Sequence, residues 1–232
     1  MPSPDLSLVI PFYNEEANCD QVIDWIIKAF DAHGVDYELV PVDNGSRDKT
    51  GSILARWSET NNRIKSVTVP ENKGYGWGIL QGLAVCSGHY VGYVDGDLQV
   101  APSDIIRVFE SRENGNVDIC KGKRIIRGDG WKRHIVSAVY NLFFAALFRC
   151  AISDINAKPK IMRHTCYERL SLESKDWFID AEIIIKAEQL GMTIEEVPID
   201  FRPREEGKSN VRPAAVLEFL RNLIVYRISG RR

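Results

Sequence analysis

The first 110 residues repeat one pattern: a continuous apolar run, a polar loop, and then a stretch with helical periodicity. Short apolar runs bounded by turn residues are typical of buried strands, whereas apolar residues that recur every three to four positions indicate a helix. Strands are predicted in four segments: 6–13, 37–50 (where the strand ends in a polar, Gly-containing loop), 64–71 and 90–97. The helices are predicted after them: 14–34, 51–61, 76–88 and 102–111.

These strands are apolar throughout rather than alternating, as expected when both faces of a sheet are covered by helices. The pattern therefore predicts an α/β fold with a mostly parallel central sheet and a Rossmann-like N-terminal half. In such sheets the ligand crevice lies at the carboxyl ends of the strands. Each of the four strands ends in a polar cluster, in the order YNEE, DNGSRD, ENKGYG and DGD.

The second half of the chain is less regular. Strands are expected at 117–125, 157–164 and 193–204. Helices are expected at 131–148, 180–191 and 213–228, the first and last of them rich in apolar residues. With 232 residues and no low-complexity linker, one domain is the better expectation.

Composition excludes several classes of protein. The formal net charge of −2 provides no overall attraction to nucleic acid. The five cysteines are odd in number and lack C-x-x-C spacing, so neither a disulfide framework nor a zinc site is expected. The N-terminus lacks the basic and long apolar regions of a signal peptide, which predicts a cytoplasmic protein.

The cluster after the fourth strand contains Asp95 and Asp97, with Gln99 next in the alternation. Either the strand ends in a polar turn, or three oxygen-bearing side chains converge on a hard cation such as Mg²⁺ or Mn²⁺. The D-x-D pattern alone leaves both interpretations open. Its alignment with three other strand-end clusters favours the metal site.

Taken together, the segments PFYNEE, VDNGSRDKT, NKGYGWGILQGL and DGDLQ resemble the family 2 inverting glycosyltransferases with a GT-A fold. Within that family, GKR followed by WKRHIVS, and then EEVPIDFRPREEGKSN, resemble the polyprenyl-phosphate glycosyltransferases, the group that contains dolichyl-phosphate mannose synthase. The resemblance covers nearly the whole chain.

The resemblance implies that a sugar moves from a UDP- or GDP-sugar to a polyprenyl phosphate (dolichyl or undecaprenyl) in one inverting displacement assisted by Mg²⁺ or Mn²⁺. Residues 1–110 would then bind the nucleotide sugar and residues 111–232 the acceptor. Two alternatives stay open. One is the same fold acting on a saccharide or other hydroxyl acceptor, and the other is a non-catalytic nucleotide-sugar-binding partner protein.

Site residues follow from the matching motifs. The nucleotide-sugar contacts are expected from Pro11, Tyr13, Glu15, Asp43, Lys73, Gly74, Asp95, Gly96 and Asp97. The metal ligands are expected from Asp95, Asp97 and Gln99. An aromatic ring can pack on a nucleobase, and a carboxylate can accept hydrogen bonds from base or ribose. Glu15 and Asp43 could instead only cap the helices that follow them.

The acceptor phosphate brings a second set of negative charges, which cations must offset, and the planar guanidinium of arginine suits phosphate oxygens. The resemblance assigns this role to Arg124, Arg133, Ser137, Arg204 and Ser209. A solvated basic surface is the alternative. Asp97, Asp180 and Glu182 are the catalytic candidates, although an ionised phosphate acceptor needs no strong base, and the last two could be first-turn acids of a helix.

Two further features of the sequence stay open. The segment DINAKPKIMR stands where relatives of the mannose synthase have S-G-F-R-A, which leaves the donor sugar and the acceptor undecided. The apolar faces of helices 131–148 and 213–228 could rest on the cytoplasmic face of a membrane, form core, or join copies in a homo-oligomer.

Overall fold

The computed structural model describes residues 3–113, 117–127, 144, 147–148, 152–202, 221, 223 and 226. The strands are β1 (Leu6–Phe12), β2 (Tyr37–Asp43), β3 (Val67–Thr68), β4 (Tyr90–Tyr93), β5 (Ile119–Arg127), β6 (Lys160–Arg163) and β7 (Ile194–Phe201). The α-helices are α1 (Cys19–Ala32), α2 (Thr50–Thr60), α3 (Tyr75–Leu83), α4 (Pro102–Glu110), α5 (His164–Leu170) and α6 (Ile179–Gln189).

The seven strands of the described residues form one sheet in the order β3-β2-β1-β4-β6-β5-β7. The first four strands along the chain are parallel neighbours, as the sequence predicts. β6 is antiparallel to both of its neighbours, β4 and β5, whereas β7 is parallel to β5. The α/β fold with a mostly parallel sheet is therefore confirmed.

Two apolar clusters cover the two faces of the sheet, which explains why the strands lack alternation. In β1, Leu8 and Ile10 belong to one cluster and Val9 to the other, and all three are fully buried. Burying one such side chain contributes about 1.5–3 kcal/mol. The four polar clusters lie where the parallel strands end, and the candidate site lies there.

Some predicted boundaries are wrong. The helix expected from residue 14 begins at Cys19, because residues 14–18 form a loop in which Asn14 has φ 54°. The strand expected over 64–71 is reduced to Val67–Thr68. The helices expected at 131–148 and 213–228 lie outside the described residues except for a few positions. Among the described helices, none is long and apolar enough to cross a membrane.

Candidate active site

The loops after β1 and β2 are bound to each other. Phe12 and Asp43 are register partners at the ends of these two parallel strands. The amide of Asn14 donates to Ser46 Oγ at 3.0 Å, and the amide of Arg47 donates to Asn14 Oδ1 at 2.8 Å. These hydrogen bonds hold the first two polar clusters together at the carboxyl edge of the sheet.

Asp43 is buried at that edge, and its Oδ1 accepts the amide of Ser46 at 2.9 Å. A Cβ added at Gly51 would lie 2.5 Å from Asp43 Oδ2, so the carboxylate packs directly against α2. Asp43 therefore orders its own loop, and its proposed contact with base or ribose stays a prediction.

Pro11, Tyr13 and Glu15 are all partly buried. Glu15 accepts Asn18 Nδ2 at 2.7 Å through its carboxylate, and its backbone carbonyl accepts the amides of Asn18 and Cys19 at the start of α1. Glu15 thus orders the turn that leads into α1, whose N-cap, Asn18, makes no side-chain capping hydrogen bond. A nucleotide contact by these three residues stays a prediction.

The glycines of the third polar cluster, ENKGYG, leave room for the backbone of a distant segment around Lys175. A Cβ at Gly74 would lie 2.3 Å from the carbonyl oxygen of Lys175, and Gly74 has φ +121°. The amide of Trp77 donates to that same carbonyl at 2.9 Å. Lys73 is exposed, with its ammonium 5.5 Å from the centre of the Trp77 ring. The segment around Lys175 therefore forms a wall next to the predicted nucleotide loop.

Gly96 lies between the two aspartates because the ring of Phe12 fills the space where a side chain would be. A Cβ at Gly96 would lie 2.4 Å from Phe12 Cε1. On either side of it, Asp95 and Asp97 are partly exposed. Asp97 Oδ1 accepts the amide of Gln99 at 3.2 Å, and Gln99 Nε2 donates to the carbonyl of Arg202 at 2.9 Å.

Asp95, which is partly exposed, is linked to a group of buried charges. Tyr75 donates its hydroxyl hydrogen to Asp95 Oδ1, and Lys158 Nζ lies 3.5 Å from Asp95 Oδ2. The same ammonium is 3.0 Å from Asp180 Oδ2. Asp180 Oδ1 also accepts from Lys160 Nζ and from the hydroxyl of Tyr93. Asp180 is therefore connected to the D-x-D cluster through Lys158.

Strand topology brings these groups together. Because β6 runs antiparallel to β4, its first residue, Lys160, is the register partner of Tyr93 near the end of β4. Lys158 precedes it and reaches Asp95, two residues beyond Tyr93. The antiparallel strand thus delivers two lysines to the carboxyl edge of a sheet whose other strands deliver carboxylates.

The charges in this group balance one another. Burial raises the pKa of Asp180, but the ion pairs with Lys158 and Lys160 outweigh it, so the net pKa is lowered. For Lys158, burial lowers the pKa, but the neighbouring Asp180 and Asp95 raise it by more, so the net pKa is raised. Burial dominates at Lys160 and lowers its pKa to about 7. Asp180 is thus an ionised partner of the lysines rather than a general base with a raised pKa.

The carboxylate of Glu182 orders the backbone at residues 173 and 174 through hydrogen bonds. It accepts the amide of Glu173 at 3.0 Å and the amide of Ser174 at 2.8 Å, and it pairs with Lys186 at 2.8 Å. Both Asp180 and Glu182 are buried, so neither is a solvent-exposed first-turn acid of α6. A catalytic role for either stays a prediction.

Arg124 is held by Asp154. Its Nε and Nη2 donate to the two carboxylate oxygens at 2.8 and 2.6 Å, and its guanidinium carbon is 5.1 Å from the centre of the Phe201 ring. The side chain is 11% exposed. The other predicted acceptor residues lie outside the described part of the chain: Arg133, Ser137, Arg204 and Ser209.

The donor set at the end of β4 fits a hard divalent cation. Asp95 and Asp97 offer carboxylate oxygens that are partly open to solvent. Within the described residues, no group of three or more His, Cys, Asp or Glu side chains forms a closed metal site. One or two carboxylates completed by substrate phosphates are the usual arrangement for Mg²⁺, which these residues match. A role for Gln99 as a third ligand stays a prediction.

Several of these partners were not predicted from the sequence, namely Tyr75, Tyr93, Asp154, Lys158, Lys160 and Trp177. A signal was available: Lys158 and Lys160 are separated by one residue just before the apolar pair Ile161 and Met162, and a lysine buried at such a place needs a partner. The aromatic pair had no such signal. Tyr75 and Trp177 stack with ring centres 4.1 Å apart, a contact between residues distant in sequence.

Comparison with curated proteins gives two informative relatives. The undecaprenyl-phosphate 4-deoxy-4-formamido-L-arabinose transferase of Edwardsiella ictaluri is 28% identical over 94% of this chain and 66% of its own length. The low-salt glycan biosynthesis hexosyltransferase Agl6 of Haloferax volcanii is 26% identical over 90% of this chain and 50% of its own length. The chain thus spans about half to two thirds of these relatives.

Among solved structures, glucosyl-3-phosphoglycerate synthase from Mycobacterium tuberculosis shares the GT-A fold. Its complex with Mn²⁺, UDP-glucose and phosphoglyceric acid superposes with a TM-score of 0.76 at 22% identity, covering 97% of this chain and 80% of that protein. Its complex with Mn²⁺, UDP and glucosyl-3-phosphoglycerate gives 0.73 at 24% identity, over 97% and 79%. The model of glycosyl transferase family 2 matches residues 7–167, and the chain therefore belongs to that family.

Proposed function

We propose that this chain is an inverting, metal-dependent glycosyltransferase that moves a sugar from a UDP- or GDP-sugar to a polyprenyl phosphate. The observation that carries the choice of acceptor is the state of Asp180, whose carboxylate is in ion pairs with both Lys158 and Lys160. A hydroxyl acceptor must lose a proton during attack, whereas a phosphate monoester is already ionised near neutral pH. A site whose buried aspartate is neutralised by two lysines suits the second case.

The donor would lie across the carboxyl edge of the sheet. Asp43 and Glu15 would accept hydrogen bonds from its base or ribose, Pro11 and Tyr13 would border the base, and the loop at Lys73 and Gly74 would border the phosphates. Asp95 and Asp97, with Gln99, would hold Mg²⁺ or Mn²⁺, which supplies Lewis-acid stabilisation of the departing diphosphate. Because Gly96 has no side chain, the backbone between the two carboxylates packs directly against the ring of Phe12.

The acceptor phosphate would meet cations from the second half of the chain. Arg124 lies near the carboxyl end of β5, at the same edge as Asp95, and Asp154 fixes its guanidinium through two hydrogen bonds. Arg133, Ser137, Arg204 and Ser209 would complete this site. The E. ictaluri relative is an undecaprenyl-phosphate transferase by its name, which supports a polyprenyl-phosphate acceptor. We propose that the protein meets this acceptor at the cytoplasmic face of a membrane.

The test is a transfer assay with labelled donors. UDP- and GDP-sugars are supplied separately with Mn²⁺ or with a chelator, and the acceptor is either a short-chain polyprenyl phosphate or a free saccharide. We expect metal-dependent transfer to the polyprenyl phosphate with inversion at the anomeric carbon. Transfer to the saccharide alone would favour the hydroxyl-acceptor alternative, and metal-independent binding with no turnover would favour a non-catalytic partner.

Asp97→Asn should reduce kcat by roughly 100-fold or more, since loss of about 3 kcal/mol of transition-state stabilisation corresponds to that factor. Asp24→Asn is the matched control, because Asp24 lies on α1 in an exposed ion pair with Lys28. Equal activity of both variants would contradict the assignment of Asp97. A similar loss in both would indicate damage to the fold.

A further inference from the structure

Lys158 occupies a position that the proposed chemistry does not yet explain. Its side chain is 8% exposed, and its ammonium lies between two carboxylates, 3.0 Å from Asp180 Oδ2 and 3.5 Å from Asp95 Oδ2. The ring centres of Tyr75 and Trp177 are 4.9 and 5.7 Å from the same nitrogen. The cation is thus enclosed by anions and by aromatic faces, both of which stabilise it.

Asp180 has a second lysine partner. Lys160 is fully buried and pairs with the other oxygen of Asp180, which also accepts from Tyr93. Lys158 is therefore shared: its ammonium pairs with Asp180 and also lies beside Asp95, a carboxylate of the proposed metal site.

With both lysines protonated, the four buried or half-buried charges (Asp95, Asp180, Lys158 and Lys160) sum to zero. A divalent cation bound to Asp95 alone would add two positive charges next to the Lys158 ammonium, in an environment that screens charge poorly. A nucleoside diphosphate bound with the cation would bring several negative charges and offset both the metal and the lysine. Lys158 therefore penalises the metal alone and favours the metal with its diphosphate.

We propose that Lys158 is a positioning residue that couples the two ligands: as the internal counter-ion of Asp95, it makes divalent-cation binding depend on the diphosphate of the donor. The proposal rests on the proposed function, because it assumes a metal and diphosphate site at Asp95. When both ligands bind, Lys158 retains Asp180 as its partner at 3.0 Å. Coupling between two ligands is reciprocal, and typical coupling energies correspond to roughly 5–150-fold in affinity.

The experiment measures Mn²⁺ binding by calorimetry and by electron paramagnetic resonance, on the whole chain, without turnover. Mn²⁺ is titrated alone and in the presence of UDP or GDP. In the wild-type protein we expect weak binding of Mn²⁺ alone and strong binding with the preferred nucleotide. In Lys158→Met, Mn²⁺ alone should bind roughly 5-fold or more tightly, and the coupling factor should fall by at least the same ratio.

Two further variants keep the test decisive if methionine disturbs the fold. Lys158→Gln removes the charge but keeps a hydrogen-bonding group, and it should shift Mn²⁺ affinity in the same direction. Asp180→Asn leaves Asp95 as the remaining carboxylate partner of Lys158, so Mn²⁺ alone should bind more weakly than in the wild type. Lys65→Met is the control, because Lys65 is exposed and donates to the carbonyl of Val85.

The outcomes separate the two proposals. If the wild-type protein binds neither UDP nor GDP with Mn²⁺, the donor site itself is wrong. If it binds the metal with a nucleotide but the Lys158 variants bind Mn²⁺ alone with unchanged or reduced affinity, the role of Lys158 is overturned and the donor site stands. If Lys65→Met changes the affinity as much as Lys158→Met, the effect is one of overall charge, which also overturns the proposal.

Discussion

At the scale of single residues, Gly96 shows how one missing side chain allows the D-x-D cluster to form. The ring of Phe12, itself buried, occupies the space above its α-carbon. Gly96→Ala should destabilise the protein by about 1–3 kcal/mol, the usual cost of inserting a methyl group into a packed site. Urea denaturation measures this loss.

The double variant Phe12→Leu/Gly96→Ala checks the cause. A smaller side chain at position 12 should relieve the contact, so the double variant should be more stable than the sum of the two single losses predicts. Simple additivity of the two losses would contradict a direct contact between these residues.

The sequence alone was enough to predict the two carboxylates of the D-x-D cluster, but it did not predict which residues contact them. The D-x-D pattern and its position after an apolar run located Asp95 and Asp97. The pairing of Asp95 with Lys158 depends on the antiparallel placement of β6, which no local pattern encodes. Gln99 was singled out for its oxygen, whereas the structure shows its amide nitrogen bound to the backbone at Arg202.

At the scale of elements, the loop segment 173–177 lies between α6 and the loop at Lys73 and Gly74, and it makes contacts with both. Glu182 on α6 accepts the amides of Glu173 and Ser174. Lys175 in turn accepts the amide of Trp77 through its carbonyl and packs on Gly74. A carboxylate on one helix thus fixes the wall beside the predicted nucleotide phosphates.

Glu182→Gln should loosen this wall. Hydrogen bonds to a charged group contribute about 1.5–3 kcal/mol, and the amide oxygen that remains is a weaker acceptor. Amide hydrogens of 173–177 should exchange roughly tenfold faster, whereas those of β1 should be unchanged. Glu188→Gln on the exposed side of the same helix is the control, and equal acceleration in both variants would contradict the role of Glu182.

Element prediction succeeded where burial on both faces leaves a clear pattern. The four N-terminal strands were found in order because apolar runs and polar loops mark them, and β5, β6 and β7 were found as well. It failed where tertiary contacts decide: residues 14–18 are held as a loop by bonds to the loop after β2, and the short β3 pairs with β2 over only two residues.

At the scale of the whole molecule, buried ion pairs tie the C-terminal strands to the loop before β6. Lys121 on β5 is fully buried and donates to the carbonyl of Asp154 at 2.7 Å and to Glu196 on β7 at 3.0 Å. Asp154 in turn holds Arg124. The edge that carries the predicted acceptor residue therefore depends on the same network that fixes β5 against β7.

This network predicts how stability depends on pH. Burial raises the pKa of Glu196, but Lys121 and Ser153 outweigh it, so the net pKa is lowered; the pKa of Asp180 is lowered in the same way by Lys158 and Lys160. The unfolded chain therefore binds more protons than the folded chain in acid, so the free energy of unfolding decreases as the pH is lowered. The stabilisation is complete above the unfolded pKa values, about 4, and is lost as the pH falls through the lower folded-state values.

Urea denaturation of the wild-type protein and of the double variant Lys121→Met/Glu196→Gln, at pH values from 7 to 3, measures this dependence. Removing both partners avoids leaving an unpaired buried lysine, a defect that typically costs about 3–5 kcal/mol. The double variant should lose stability less steeply below pH 5, because one carboxylate with a lowered pKa is gone. Parallel curves for the two proteins would contradict a stabilising charge on Glu196 and would place the acid sensitivity at Asp180 and the other paired carboxylates.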